Sequence, residues 1–136
     1  MNSVPLSLFL RRVLLFDAAT CLITGTVMLT ASGTVERLLA IPAPLSRVLA
    51  VVLLVFGAAV ARVATRRELL GSTVWAVWAI VAMNALWAVE SILALAFGWL
   101  EPNSLGRAFI IAQAVAVAVI AELQFIGLRR AKAVAA

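Results

Sequence analysis

Four apolar runs, covering residues 13–31, 48–61, 72–99 and 108–128, are separated by short charged or proline-bearing segments. Each approaches the ~20 residues a spanning helix needs, and in hydrocarbon only a helix or a closed barrel satisfies every backbone N–H and C=O. The second run is short. It gains a turn at each end if Arg47 and Arg62 extend toward head groups. The spans are therefore predicted at about 13–31, 45–64, 72–99 and 107–128, within one domain covering residues 1–136. The predicted fold class is all-α, a transmembrane four-helix bundle. Composition agrees, since 65% apolar and 12% charged residues lie far outside soluble usage.

Arg11 and Arg12, ahead of an apolar stretch that ends at Ala31, Ser32 and Gly33, imitate a secretory signal. Asp17 inside that stretch and its full spanning length favour a retained first helix. Orientation follows from the basic residues of the short loops. Arg11, Arg12, Arg62, Arg66, Arg67, Arg129, Arg130 and Lys132 fall on one side, against Arg37, Arg47 and Arg107 on the other. Both chain ends are predicted to be cytoplasmic, with residues 33–46 and 101–107 outside. The net charge of +5 then reflects this bias and attraction to anionic membrane lipids. Nucleic-acid binding is not expected, because the cations flank membrane spans and do not gather on a soluble face.

Cys21 is alone, so no intrachain disulfide can form, and the sequence has neither histidine nor tyrosine. The usual haem ligand, intramembrane proton relay and metal ligand are thereby missing, and no metal or cofactor is expected.

Within the spans the informative residues are three carboxylates, Asp17, Glu90 and Glu122, none with a cation one turn away. An acid at mid-bilayer costs about 2.5–3.5 kcal/mol on insertion scales, so each needs a partner, a cavity or a proton path. At the helical rise, Asp17 and Glu122 lie about 7 and 6 Å to the cytoplasmic side of their span centres, and Arg62 about 10 Å to the same side. Asp17, Arg62 and Glu122 are therefore expected to form a structural charge layer. Glu90 and Gln113 fall in a second layer, about 7–8 Å toward the outside, with Asn84 near the midplane.

Helical periodicity adds direction. Asp17, Thr20, Cys21 and Thr24 form a stripe on the first helix, and Asn84, Ala88 and Ser91 form one on the third. The simplest reading of Thr20 and Thr24 is packing, because such hydroxyls bond their own backbone. Asn84 and Gln113 could likewise be interhelical glue. On the fourth helix Gln113 and Gln124 share a face while Glu122 lies opposite, so polar groups point two ways: either a second subunit covers the outer side, or Glu122 snorkels with Arg129 two turns below. Trp75, Trp78 and Trp99 read as an interfacial belt, leaving Trp87 nearer mid-depth as a pocket candidate. Candidates for a ligand or ion path are thus Glu90, Asn84, Gln113, Trp87 and Ser91, with Asp17 and Thr24. No catalytic set is recognisable. Gly57 with Ala61, Ala114 with Ala118 and Ala112 with Ala116 are small-residue pairs that permit close helix approach.

The connection Gly33 to Glu36, Pro44, Ser46-Arg47 parallels Gly98 to Glu101, Pro102, Gly106-Arg107. A duplicated helical hairpin is suggested, although glycine ends helices and proline opens them without common ancestry.

The stretch from Trp78 through Asn84, Trp87, Glu90 and Ser91, then Gly98-Trp99, then Ala121-Glu122 through Gln124 and Gly127 to Arg129-Arg130, resembles a widespread group of uncharacterised small bacterial four-helix inner-membrane proteins. Size and span number are also similar to DoxX-type proteins, some of which associate with quinone-linked oxidoreductases. The first resemblance implies a bacterial inner-membrane location and transfers no activity.

Three functional classes follow. The first is a non-enzymatic binding or accessory protein whose interior or face engages a lipid, a quinone, another apolar molecule or a larger membrane complex. The second is a small oligomeric proton- or cation-coupled transporter or channel using Asp17, Glu90 and Glu122. The third is a membrane enzyme with a carboxylate acting as acid or base on a lipid-soluble substrate.

Overall fold

A computed structural model describes residues 4–69 and 71–135, with side chains for 5–69 and 71–131. Lys132, counted above among the cytoplasmic cations, has its side chain outside the described residues. Four helices are long and apolar enough to cross a membrane: α1 (Leu8–Thr30), α3 (Ala43–Ala64), α4 (Gly71–Ala96) and α5 (Ser104–Ala135). The chain folds as a multi-pass, all-α membrane bundle.

Local signals explain the helix ends. The Ser7 hydroxyl accepts the Leu10 N–H at 3.1 Å and caps α1. At the other end the Ala31 N–H closes on the Val27 carbonyl, and a short amphipathic helix α2 (Ser32–Leu39) follows at once. Ala40, in the left-handed region at φ 56°, ends α2, and the Glu36 carboxylate accepts the Ala43 N–H at the start of α3. Asn103 caps α5 by accepting the Gly106 N–H at 2.8 Å. Two residues on each side of the α1 and α3–α4 boundaries, Val4–Pro5 (β1) and Glu68–Leu69 (β2), pair antiparallel across the end of the bundle.

Packing divides the bundle into two antiparallel pairs, α1 with α3 and α4 with α5, which meet mainly along α1 and α5. Glycines set the closeness of the first pair. A Cβ on Gly25 would fall 2.9 Å from Leu54 Cγ, and one on Gly57 would fall 3.0 Å from Cys21 Cβ, so α1 and α3 touch nearly backbone to backbone. The apolar core fills the half of the bundle nearest the chain ends. Leu10, Leu14, Val60, Val77 and Leu128 are completely buried there. In the opposite half the pairs are joined at the tips, where the Asn103 N–H and side-chain amide donate to the Leu39 and Leu38 carbonyls.

The two tips do not fold alike. The first contains α2, whereas residues 97–103 form a non-helical turn with Gly98 at φ 69°.

Candidate functional site

The buried stripe of α1 runs Leu10, Leu14, Asp17, Ala18, Cys21 and Gly25, so Asp17 enters the bundle directly above the leucine core. Only 2% of it is exposed. Its Oδ2 accepts Asn84 Nδ2 from α4 and Gln124 Nε2 from α5, each at 2.7 Å, and Cys21 Sγ lies 3.6 Å from Oδ1. Asn84 Nδ2 also donates to Gln124 Oε1 at 3.0 Å. One carboxylate thus ties three helices and both hairpin pairs together, and every contact it makes is with a neutral donor.

This corrects the expected charge layer of Asp17, Arg62 and Glu122. Arg62 and Glu122 are both exposed, and among the described residues neither meets Asp17. Helix rotation is the reason. Val60 and Ala64 face the core, so Arg62 between them points about 200° away from each. The same two-residue offset turns Glu122 outward when Gln124 is buried. Depth matched; direction did not. Asn84, placed by depth near the midplane, belongs to the Asp17 cluster. Gln124 was the residue that sequence reasoning left out of the candidate set, though its alignment with Gln113 and its depth close to that of Asp17 carried the signal.

A second polar cluster lies within the α4/α5 pair. Trp87 Nε1 donates to Gln113 Oε1 at 2.9 Å, Gln113 Nε2 donates to Ser91 Oγ at 3.0 Å, and the Ser91 hydroxyl donates back to the Trp87 carbonyl at 2.7 Å. Three of the candidate residues are therefore brought together. Glu90 is not among them, since its carboxylate is exposed on the outer side of α4. Thr24 is partly buried on the inner face of α1, and Thr20 donates to the Asp17 carbonyl at 2.8 Å as a packing hydroxyl would. Trp75 and Trp99 are exposed, while Trp78 stacks edge-on against Phe125 at 5.5 Å.

The third feature lies outside the interior. Phe9, Arg12, Val13 and Phe16 of α1 form one wall of a groove of about 470 Å³. Ala116, Val119, Ile120 and Leu123 of α5 form the other. The two helices are pinched together below it, where a Cβ on Gly127 would sit 3.2 Å from Leu10 Cδ1, and they part where α5 offers the small Ala116. At the pinched end the Arg130 guanidinium lies 5.7 Å over the Phe9 ring. Arg12 and Arg130 therefore flank one mouth of an otherwise apolar slot.

Comparison with known proteins finds no matching family model, no matching curated protein and no matching solved structure.

Proposed function

We propose that this chain is a non-enzymatic binding or accessory protein of the bacterial inner membrane, holding a lipid-like apolar molecule in the groove between α1 and α5. The groove carries the reading. Its volume, about 470 Å³, falls in the ~300–1,000 Å³ range of ligand sites, and its walls are apolar apart from Arg12, with Arg130 over the ring of the wall residue Phe9. The interior polar groups are used differently. Asp17, Asn84 and Gln124 bond one another, as do Trp87, Ser91 and Gln113, and that describes interhelical glue. The resemblance to small bacterial four-span proteins and the clustering of Arg11, Arg12, Arg62, Arg66, Arg67, Arg129 and Arg130 toward one end support an inner-membrane location with cytoplasmic chain ends.

Transport ranks second, because it asks Asp17, Glu90 and Glu122 to share a path, yet one is buried and two are exposed on different helices. Acid-base enzymology ranks third for the same reason. The outward Glu90 and Glu122 instead favour a further property within the first reading, docking of a second copy or of a larger membrane complex against α4 and α5. An acid facing hydrocarbon costs energy that a protein neighbour would offset.

Mass spectrometry of the protein purified in mild detergent tests the binding reading. A stoichiometric apolar molecule should accompany the natural protein and be lost from Ala116→Phe, which fills the slot at an exposed position. Equal retention by both proteins would refute it. Crosslinking in native membranes tests association, and a monomer at every protein-to-lipid ratio would count against docking of a second copy.

A further inference from the structure

We propose that the α1/α5 groove selects an anionic lipid, with one acyl chain lying along Phe16, Val119 and Ala116 and the phosphate held by Arg12 and Arg130. The proposal rests on the binding reading above and adds the chemical class of the ligand.

Dimensions come first. Ala116, where the lining ends, lies about two residues from the middle of the spanning stretch Ser104–Ala131, so this end of the groove is near mid-bilayer. From Ala116 to Leu123 the helix rises about 10 Å, and the arginine side chains continue toward the head groups, which together match the ~15 Å hydrocarbon half of one leaflet. The slot is therefore as deep as a single leaflet and open along its length to the lipid around it. An acyl chain fits it end to end, whereas a chain crossing both leaflets would run out of groove at Ala116.

Charge supplies the class. Arg12 lines the slot and is exposed, and Arg130 sits over the ring of Phe9, itself a wall residue. Among the described residues neither guanidinium forms an ion pair with a carboxylate. Glu122, the acid beside Leu123, is turned about 100° round the helix from it. Two guanidinium forks without a carboxylate partner, at the head-group end of an apolar slot, match a phosphate on an acyl chain. Arginine binds phosphate through paired N–H groups, and this pair adds to the general attraction of basic residues to anionic leaflets. A neutral quinone ring would take nothing from either cation.

The test uses the full chain in detergent and native mass spectrometry, with phosphatidylglycerol and phosphatidylcholine of identical acyl chains as probes. The natural protein should retain phosphatidylglycerol roughly ten-fold more than phosphatidylcholine. The double variant Arg12→Gln, Arg130→Gln should hold both lipids equally, having lost the preference and kept the slot. Ala116→Phe should lose both lipids, and Val119→Trp serves the same purpose if Ala116→Phe does not fold. A preference for phosphatidylglycerol that survives the double variant overturns the anionic assignment while leaving the groove reading intact. Lipid retention unchanged in the slot-filling variant overturns both. Displacement of the lipid by millimolar inorganic phosphate would mean the arginines serve a soluble anion, and co-purification of a neutral quinone in place of phospholipid would likewise sink the proposal.

Discussion

The two halves of this bundle solve the same problem in different ways. In the half near the chain ends, the pairs α1/α3 and α4/α5 share one core of buried leucines and valines, closed above by a carboxylate with donors from both pairs. In the half near the tips, each pair is held internally, α1/α3 by glycine contacts and α4/α5 by the Trp87, Ser91 and Gln113 cluster, and the pairs meet where the Asn103 N–H and side-chain amide donate to the Leu39 and Leu38 carbonyls. The lesson concerns where specificity comes from. Lipid tails are as apolar as leucine, so apolar packing alone does not dictate which helix pairs with which. A buried acid does, because only the arrangement that brings Asn84 and Gln124 to Asp17 satisfies it. In the tip half no such demand exists, and the helices there are correspondingly more exposed.

Breaking the first half should have the largest effect. Asn84→Leu removes a donor from Asp17 and from Gln124 at once, leaving a buried acid under-satisfied. The expected loss is about 2–3 kcal/mol, read from unfolding in mixed micelles of increasing SDS content. Replacing Asp17 and Gln124 by leucine in the same background should recover part of it, since an all-apolar version removes the need for partners. Recovery of nothing would mean that the cluster matters for shape alone.

Gly106→Ala probes the joint at the tips. A Cβ there would run into the Leu39 carbonyl oxygen and lie 2.7 Å from Pro102 Cβ, and backbone cannot move aside as a flexible side chain can. Overpacking of this kind costs about 1–3 kcal/mol, and with the core half intact the lower part of that range is expected. Proteolysis within residues 33–42 should accelerate more than global unfolding does. If both change together, the two halves unfold as one unit.

Smaller still is the bridge inside the second pair. Trp87→Phe keeps the ring and removes the bond to Gln113 Oε1, and interhelical bonds in membranes average about 0.6 kcal/mol. A loss above about 1.7 kcal/mol, the upper end of such measurements, would show that this cluster holds α4 to α5 as strongly as Asp17 joins the two pairs.

How far the sequence could be read differs between these halves. The spans were legible because hydropathy reports what surrounds a segment. For the same reason it misplaced some ends, since α1 begins at Leu8 and α5 continues to Ala135, beyond the apolar windows. A helix does not stop where the membrane does, and the alanine-rich tail after Leu128 has good intrinsic propensity. The helix α2 was missed because eight polar and apolar residues in mixed order look like a loop when only spanning runs are sought. Stripes were legible: Asp17 with Cys21, and Asn84 with Ala88, are buried as periodicity requires. What one sequence withholds is how helices rotate against each other. Arg62 and Asp17 share a depth, and nothing in composition says that the arginine faces outward.

That last point yields the smallest expected effect and the sharpest separation. With Arg62 exposed two residues from Val60 and from Ala64, Arg62→Ala removes no contact with Asp17, and the change in stability should be within about 0.5 kcal/mol, as for other surface positions. Glu90→Gln should be equally mild for the isolated chain, because its side chain is exposed and outside both polar clusters. The two differ in what else they move. Glu90→Gln changes an acid on the lipid-facing side of α4, so it should alter crosslinking to a neighbour while unfolding stays constant. Arg62→Ala sits at the head-group end and should alter neither. If instead Arg62→Ala costs as much as Asn84→Leu, then the arginine reaches Asp17 in the membrane and the carboxylate is held by a cation after all. If Glu90→Gln leaves association untouched, the outer face of α4 meets only lipid, and the tip half is as unpartnered outside as it is loosely joined within.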